Sequence, residues 1–172
     1  PQERTDAGRR HLQKLYLRPA IPVLMLKSAR DHYSRLLAGV YSWMSGDFRE
    51  NVTGFHNRLT GSGVPEGRQN LAIDLGAGHG IQSFAMATLG YKVLAVDFDE
   101  RLLNELKKNC DNLSVVPVLD RIENFGVHAE QRPHLVVCWG DTLTHLQDNT
   151  SVVDLLKQCA ACLAPDGWLF LS

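Results

Sequence analysis

Residues Leu71–Ala85 read LAIDLGAGHGIQSFA. An apolar run ends at an acid, three glycines then alternate with other residues, and a helix-like pattern begins. Glycine costs roughly 0.5–1 kcal/mol of backbone entropy against alanine in regular structure. Gly76, Gly78 and Gly80 so close together therefore need a reason. A Cβ at Gly76 or Gly78 would stand between the backbone and anything lying across the turn. Glycine also accepts the positive φ that a sharp strand-to-helix bend demands. The stretch reads as a buried strand that bends into a helix and leaves room for a flat, close-fitting ligand.

The pattern around this turn repeats its logic. LAIDLG, KVLAVDF, SVVPVL, RPHLVVCW and GWLFLS read as short strands, with Pro117 out of character in the third. Between them lie helical patterns: IQSFAMATLG ending at Gly90, a segment capped by Asp99 with Leu102, Leu103 and Leu106 on one face, and Ser151 to Leu163. Strands separated by helices of this length imply βαβ units and a parallel sheet. Right-handed crossovers then place helices on both faces. Upstream, Asp31 is placed to cap a helix carrying Tyr33, Leu36, Leu37, Val40, Tyr41 and Met44, and a polar helix is expected over Phe48 to Leu59. GSGVPEGRQN is a loop by composition.

Composition excludes several classes. Of 172 residues, 44% are hydrophobic and 22% charged, with a net charge of -1. The near-neutral balance gives no basic footprint for nucleic acid. The basic residues between Arg4 and Arg35 read as a solvated helix face. No apolar run approaches the roughly 20 residues needed to cross a membrane. The cysteines, Cys110, Cys138, Cys159 and Cys162, fall on patterned elements and read as free thiols in a reducing, cytoplasmic setting. Cys159 and Cys162 form CxxC without a second ligand pair, so no metal is expected. The chain starts at Pro1 and stops on the strand-like WLFLS, which reads as a piece cut from a longer protein.

Ligands of such sheets bind outside the carboxyl ends of the strands. The second strand reaches that edge at Asp97, about 20 residues past the glycine turn, where an acid accepts hydrogen bonds from ribose hydroxyls. Phe98 is placed to lie against an adenine ring. A dinucleotide site needs G-x-G-x-x-G, but here the spacing is G-x-G-x-G and Ile81 holds the third dinucleotide position. Asp74 would repel a phosphate and suits an ammonium. The combination points to S-adenosylmethionine.

IDLGAGHGIQSFAMATLGYKVLAVDFDERLL resembles the first two motifs of class I S-adenosylmethionine-dependent methyltransferases. VVCWGDTLTHL resembles the segment after their fourth strand, and LAPDGWLFLS the start of their fifth. The resemblance spans about residues 70–172. It implies a doubly wound, Rossmann-like, mostly parallel α/β sheet that lacks the family's last two strands. Residues 1–60 would form a helical lid and 61–172 the cofactor-binding core. By position, Asp74, Gly76, Ala77 and Gly78 would line the methionine moiety, and Gly80 would open the helix. Asp97 would bind ribose and Phe98 flank adenine. Asp120, with Arg121 beside it, sits where a side chain contacts the adenine amino group. Trp139 lies where backbone atoms meet the methionine ammonium. Tyr41 and Trp43 are expected to close over the cofactor.

The segment after the fourth strand is especially similar to that of glycine and sarcosine methyltransferases, with Asp141 at an asparagine position. A carboxylate there favours an amine or otherwise non-anionic small acceptor. Asp141, Thr142 and His145 are expected on the acceptor side, with Asp141 and His145 as candidate catalytic residues. A cofactor-binding regulatory protein without transfer activity is the alternative, and a nicotinamide-dependent oxidoreductase a weaker one. The final strand would lack a neighbour, which predicts self-association through its edge.

Overall fold

The computed structural model describes Met44 and residues 46–172. Tyr41, Trp43 and most of the helix expected after Asp31 lie outside the described residues. Within them the chain runs α1 (Phe48–Gly61), β1 (Leu71–Leu75), α2 (Ile81–Thr88), β2 (Lys92–Asp97), α3 (Glu100–Asn109) and β3 (Val115–Leu119). There follow a 3₁₀ turn (Ile122–Val127), β4 (Leu135–Cys138), a second 3₁₀ turn (Thr142–His145), α4 (Asn149–Cys162) and β5 (Trp168–Leu171).

The five strands are all parallel and lie in the order β3-β2-β1-β4-β5. The order reverses between β1 and β4, which is where such sheets open a crevice at their carboxyl edge. Pro117 pairs with Ala95 on the outermost strand β3. An edge strand tolerates proline because one side of it needs no donor. Among the described residues, β5 pairs only with β4.

Side chains alternate across a strand, so each face of the sheet collects its own set. Ala72, Val93, Leu135 and Val137 face a layer formed by Val52, Phe55 and Leu59 of α1 with Ala85 and Met86 of α2. Ala95 on the same parity meets Leu103 and Leu106 of α3. Ile73, Leu75, Leu94, Val96, Val136 and Cys138 point the other way, onto Ile122, Phe125, Leu155 and Cys159. The sheet is therefore covered on both faces, as continuous apolar strands require. By the same alternation Asp74, Asp97 and Trp139 all belong to the face that carries α1 to α3.

Local signals set the helix starts. Asp47 Oδ1 accepts from the Glu50 N–H at 2.8 Å, Asp99 Oδ1 from Arg101 N–H at 2.9 Å, and Asp148 Oδ1 from Ser151 N–H at 2.8 Å. Each such cap contributes about 1 kcal/mol. The last turn of α4 is held from outside: Arg132 Nε donates to the Leu163 carbonyl at 2.8 Å. The four cysteines are free. Burial pushes the thiols of Cys110, Cys138 and Cys159 up to about 12. No helix among the described residues is long and apolar enough to cross a membrane.

Candidate active site

The carboxyl edge of the sheet is stitched together by backbone and carboxylate bonds. Gly76 and Ala77 N–H groups both donate to the Val96 carbonyl, at 2.9 and 3.1 Å. The chain thus leaves β1 leaning towards β2. Gly78 N–H donates to Asp97 Oδ2 at 2.8 Å, and Asp99 N–H to Asp97 Oδ1 at 2.8 Å. Asp97 is only 6% exposed. Burial raises its pKa, partly offset by the backbone N–H groups around it. A carboxylate offers about four acceptor positions, so capacity remains for ligand hydroxyls. Phe98 beside it is 62% exposed, an apolar ring presented to solvent at a strand end.

Two glycines of the turn have distinct physical reasons. Gly76 has φ +77°, and a Cβ there would overlap the Thr142 side chain before meeting any ligand. Thr142 Oγ donates to the Trp139 carbonyl at 3.0 Å, which holds it over the turn. Room at Gly76 thus serves the segment after β4, which sequence alone had not indicated. Gly80 has φ +100°, and a Cβ there would stand 2.9 Å from Leu106 Cγ and 3.2 Å from Cys110 Sγ. It brings the start of α2 against α3. Asn109 Nδ2 donates to the His79 carbonyl at 2.8 Å across the same junction.

Asp74 lies beneath the turn, 1% exposed. Ser83 Oγ donates to its Oδ2 at 2.6 Å. Burial raises its pKa from 3.8 to about 7, with the Ser83 bond opposing and the Asp97 charge adding to the rise. His79 is buried, packs against Phe48 with ring centroids 5.7 Å apart, and has its pKa lowered by burial. The amino end of α1 therefore reaches the glycine turn.

Asp120 follows β3, and its N–H donates to the Asp97 carbonyl at 3.1 Å. Its carboxylate accepts from Arg121 N–H at 2.7 Å and Asn124 Nδ2 at 2.8 Å, and lies 2.7 Å from His128 Nε2. These bonds lower its pKa to about 2. The Arg121 guanidinium pairs with Glu123 instead. Trp139 stacks on Phe170 with centroids 5.5 Å apart and meets Phe55 of α1 edge-on at 5.2 Å. Beyond it, Asp141 and His145 are 3.6 Å apart and largely exposed, 70% and 55% of the side chains.

The edge thus brings together Gly76, Ala77, Gly78, Asp97, Phe98 and Asp120, with Trp139 joined through Thr142. Asp141 and His145 follow on the open side, and Tyr41 lies outside the described residues. Ser83, Asn124 and His128 were not singled out as site residues by sequence-based reasoning, and Thr142, expected on the acceptor side, was not expected against Gly76. No group of histidine, cysteine or acidic residues among the described residues is arranged to hold a metal ion.

A parallel sheet in this order, with a glycine turn at the reversal point and an acid at the end of the adjoining strand, defines a doubly wound protein of the kind that takes its ligands at the carboxyl ends of its strands. The chain belongs to the methyltransferase domain family, whose model matches residues 72–167. It is similar to the ubiquinone biosynthesis O-methyltransferase of Proteus mirabilis, 30% identical over 102 residues, which are 58% of this chain and 40% of that protein. The enzyme of the same name from Leptothrix cholodnii is 35% identical over 103 residues, 58% of this chain and 42% of that protein. The chain therefore spans about two fifths of the length of these curated relatives. Among solved structures, the CcbJ methyltransferase from Streptomyces caelestis superposes with a TM-score of 0.59 and 26% identity, covering 69% of this chain and 47% of that one.

Proposed function

We propose that the chain binds S-adenosylmethionine at the carboxyl edge of β1, β2 and β4 and transfers its methyl group to a small-molecule acceptor. The observation that carries this reading is the Asp97 carboxylate. It is held by the Gly78 and Asp99 N–H groups at 2.8 Å beside the exposed Phe98. A fixed pair of oxygens next to a bare aromatic ring suits a ribose and its base.

The donor set favours this ligand over a pyrophosphate. Ile81 stands where a dinucleotide turn needs glycine. Asp97 puts a carboxylate beside the turn, which opposes a polyanion, and Asp74 beneath it, its pKa raised to about 7 by burial, would ionise more readily beside a cationic ligand. When bound, S-adenosylmethionine supplies a methyl group made electrophilic by its sulfonium sulfur. The chain's task is then alignment. Good orientation of reactants is worth roughly 7–11 kcal/mol of a barrier. The Gly76–Gly78 backbone and Asp97 hold the nucleoside, and the Thr142–Trp139 bond fixes the segment between donor and acceptor sides.

On the acceptor side, Asp141 supports a non-anionic substrate, including an amine of the kind its glycine-methyltransferase-like segment suggests. The names of the relatives speak for a hydroxyl acceptor. His145, 3.6 Å from Asp141, would take the proton from either. Free thiols support a reducing, cytoplasmic setting. Calorimetric titration tests the central reading: S-adenosylhomocysteine is expected to bind and NAD not. Binding of NAD alone would reverse the assignment. A methyl-transfer screen over amines and phenols then separates an enzyme from a sensor.

A further inference from the structure

We propose that His128 and Asn124 are positioning residues that turn Asp120 into a reader of an amino group on the bound purine. They would thereby make the chain select adenine over hypoxanthine. The inference rests on the nucleoside-binding reading above and deepens it.

The argument starts from acceptor arithmetic. An ionised carboxylate only accepts, at about four positions. Asp120 Oδ1 already takes Arg121 N–H at 2.7 Å and Asn124 Nδ2 at 2.8 Å. Oδ2 takes His128 Nε2 at 2.7 Å. Asp120 is ionised at any physiological pH, its pKa held near 2 by the His128 bond first and the Asn124 bond second. The His128 Nε2 facing it must therefore carry the proton and donate. Three bonds leave about one acceptor position, on Oδ2, and the side chain keeps 25% of its surface exposed.

Placement gives that position its meaning. Asp120 N–H donates to the Asp97 carbonyl at 3.1 Å, so the two acids lie on neighbouring chain ends. Phe98 lies between them in sequence order and presents an exposed ring. A nucleoside whose ribose sits on Asp97 extends its base along Phe98 towards β3. There it meets an acceptor with no donor capacity. An exocyclic N–H is welcomed by such a group, and a carbonyl oxygen is repelled. Without His128 and Asn124 the Arg121 N–H alone would hold the carboxylate, Oδ2 would lose its fixed direction, and the repulsion of a carbonyl would fade. Both residues ride on the 3₁₀ turn after β3 and its cap, so the turn acts as a bracket for one side chain.

The test compares S-adenosylhomocysteine with S-inosylhomocysteine, which has oxygen in place of the amino group, by calorimetry on the whole chain. The unaltered chain is expected to prefer the adenosyl ligand at least tenfold. His128→Ala is expected to bring that preference within about threefold, Asn124→Ala to reduce it less, and His128→Gln, which keeps a side-chain N–H donor, to restore most of it. Circular dichroism checks that each variant is folded. If His128→Ala binds both ligands more weakly but keeps the ratio, the residue only supports the turn and the inference falls. If the unaltered chain binds neither ligand, the nucleoside-binding reading itself fails, a distinct result.

Discussion

The two sides of the crevice are built differently. On the proposed donor side, Asp97 is 6% exposed and both its oxygens are engaged by backbone N–H groups. On the proposed acceptor side, Asp141 and His145 are more than half exposed and meet at 3.6 Å, beyond a good hydrogen bond. The first arrangement is fixed by main-chain geometry and tolerates little change. The second is a solvated pair on a short turn, where substitutions act on charge rather than on structure. A common donor site with an adaptable acceptor side is what lets one fold serve many substrates.

The sharpest way to break this contrast is Asp97→Ala. It removes two backbone contacts and the proposed ribose contacts together. Hydrogen bonds to charged groups are worth about 1.5–3 kcal/mol each, so S-adenosylhomocysteine affinity is expected to fall about 100-fold or more by calorimetry. A loss below tenfold would mean that the donor side does not depend on this acid.

Next comes Asp74, the other buried acid of that side. Its pKa is about 7 in the folded chain against 3.8 for an exposed aspartate. The folded state therefore holds a proton more tightly than the unfolded state between these values. Stability is expected to fall as pH rises from about 4 to about 7 and to level off above. Asp74→Asn keeps an acceptor for Ser83 and removes the titration. Urea denaturation at pH 5 and pH 8 should show the variant losing less across that window, by on the order of 2 kcal/mol. An unchanged slope would place the titration elsewhere.

Smaller again is Gly76→Ala, which strains a φ of +77° and presses on Thr142. A cost of about 1–3 kcal/mol is expected in denaturation. Thr142→Ala in the same chain should recover part of it, and a double-mutant cycle reads the coupling. Additive effects would show that the two segments do not press on each other. The mildest change is Asp141→Asn. Exposed substitutions stay within about 0.5 kcal/mol, so donor binding should move by about twofold or less. The preference between amine and carboxylate acceptors should shift towards acids. If it does not, Asp141 plays no part in selecting the acceptor.

Much of the fold was legible in the sequence, because its strands are short apolar runs closed by glycine, proline or acid. The five strands and the helix over Phe48 to Leu59 fall where periodicity places them, and Asp99 caps its helix as read. The parallel order follows from the spacing. The outer position of β3 explains the proline that looked out of place. What stayed hidden are contacts between residues far apart in the chain or across irregular turns. Thr142 meets Gly76 only because β4 and β1 are neighbours, a fact of topology rather than pattern. His128 reaches Asp120 across a 3₁₀ turn whose spacing matches neither the helix nor the strand period. Ser83 carries no signal except its place on the buried face of α2.

The buried thiols have a practical consequence. Cys138 sits in β4, between β1 and β5, on the sheet face covered by Cys159 of α4, and Cys110 lies at the end of α3 on the other face. Alkylating reagents attack thiolates, and at pH 8 a group near 12 is almost wholly protonated. Cys110 therefore reacts only when the α3 layer parts from the sheet, and Cys138 and Cys159 only when the α4 layer does. Following the mass of each labelled peptide over time would clock the breathing of the two layers separately, with no engineered probe.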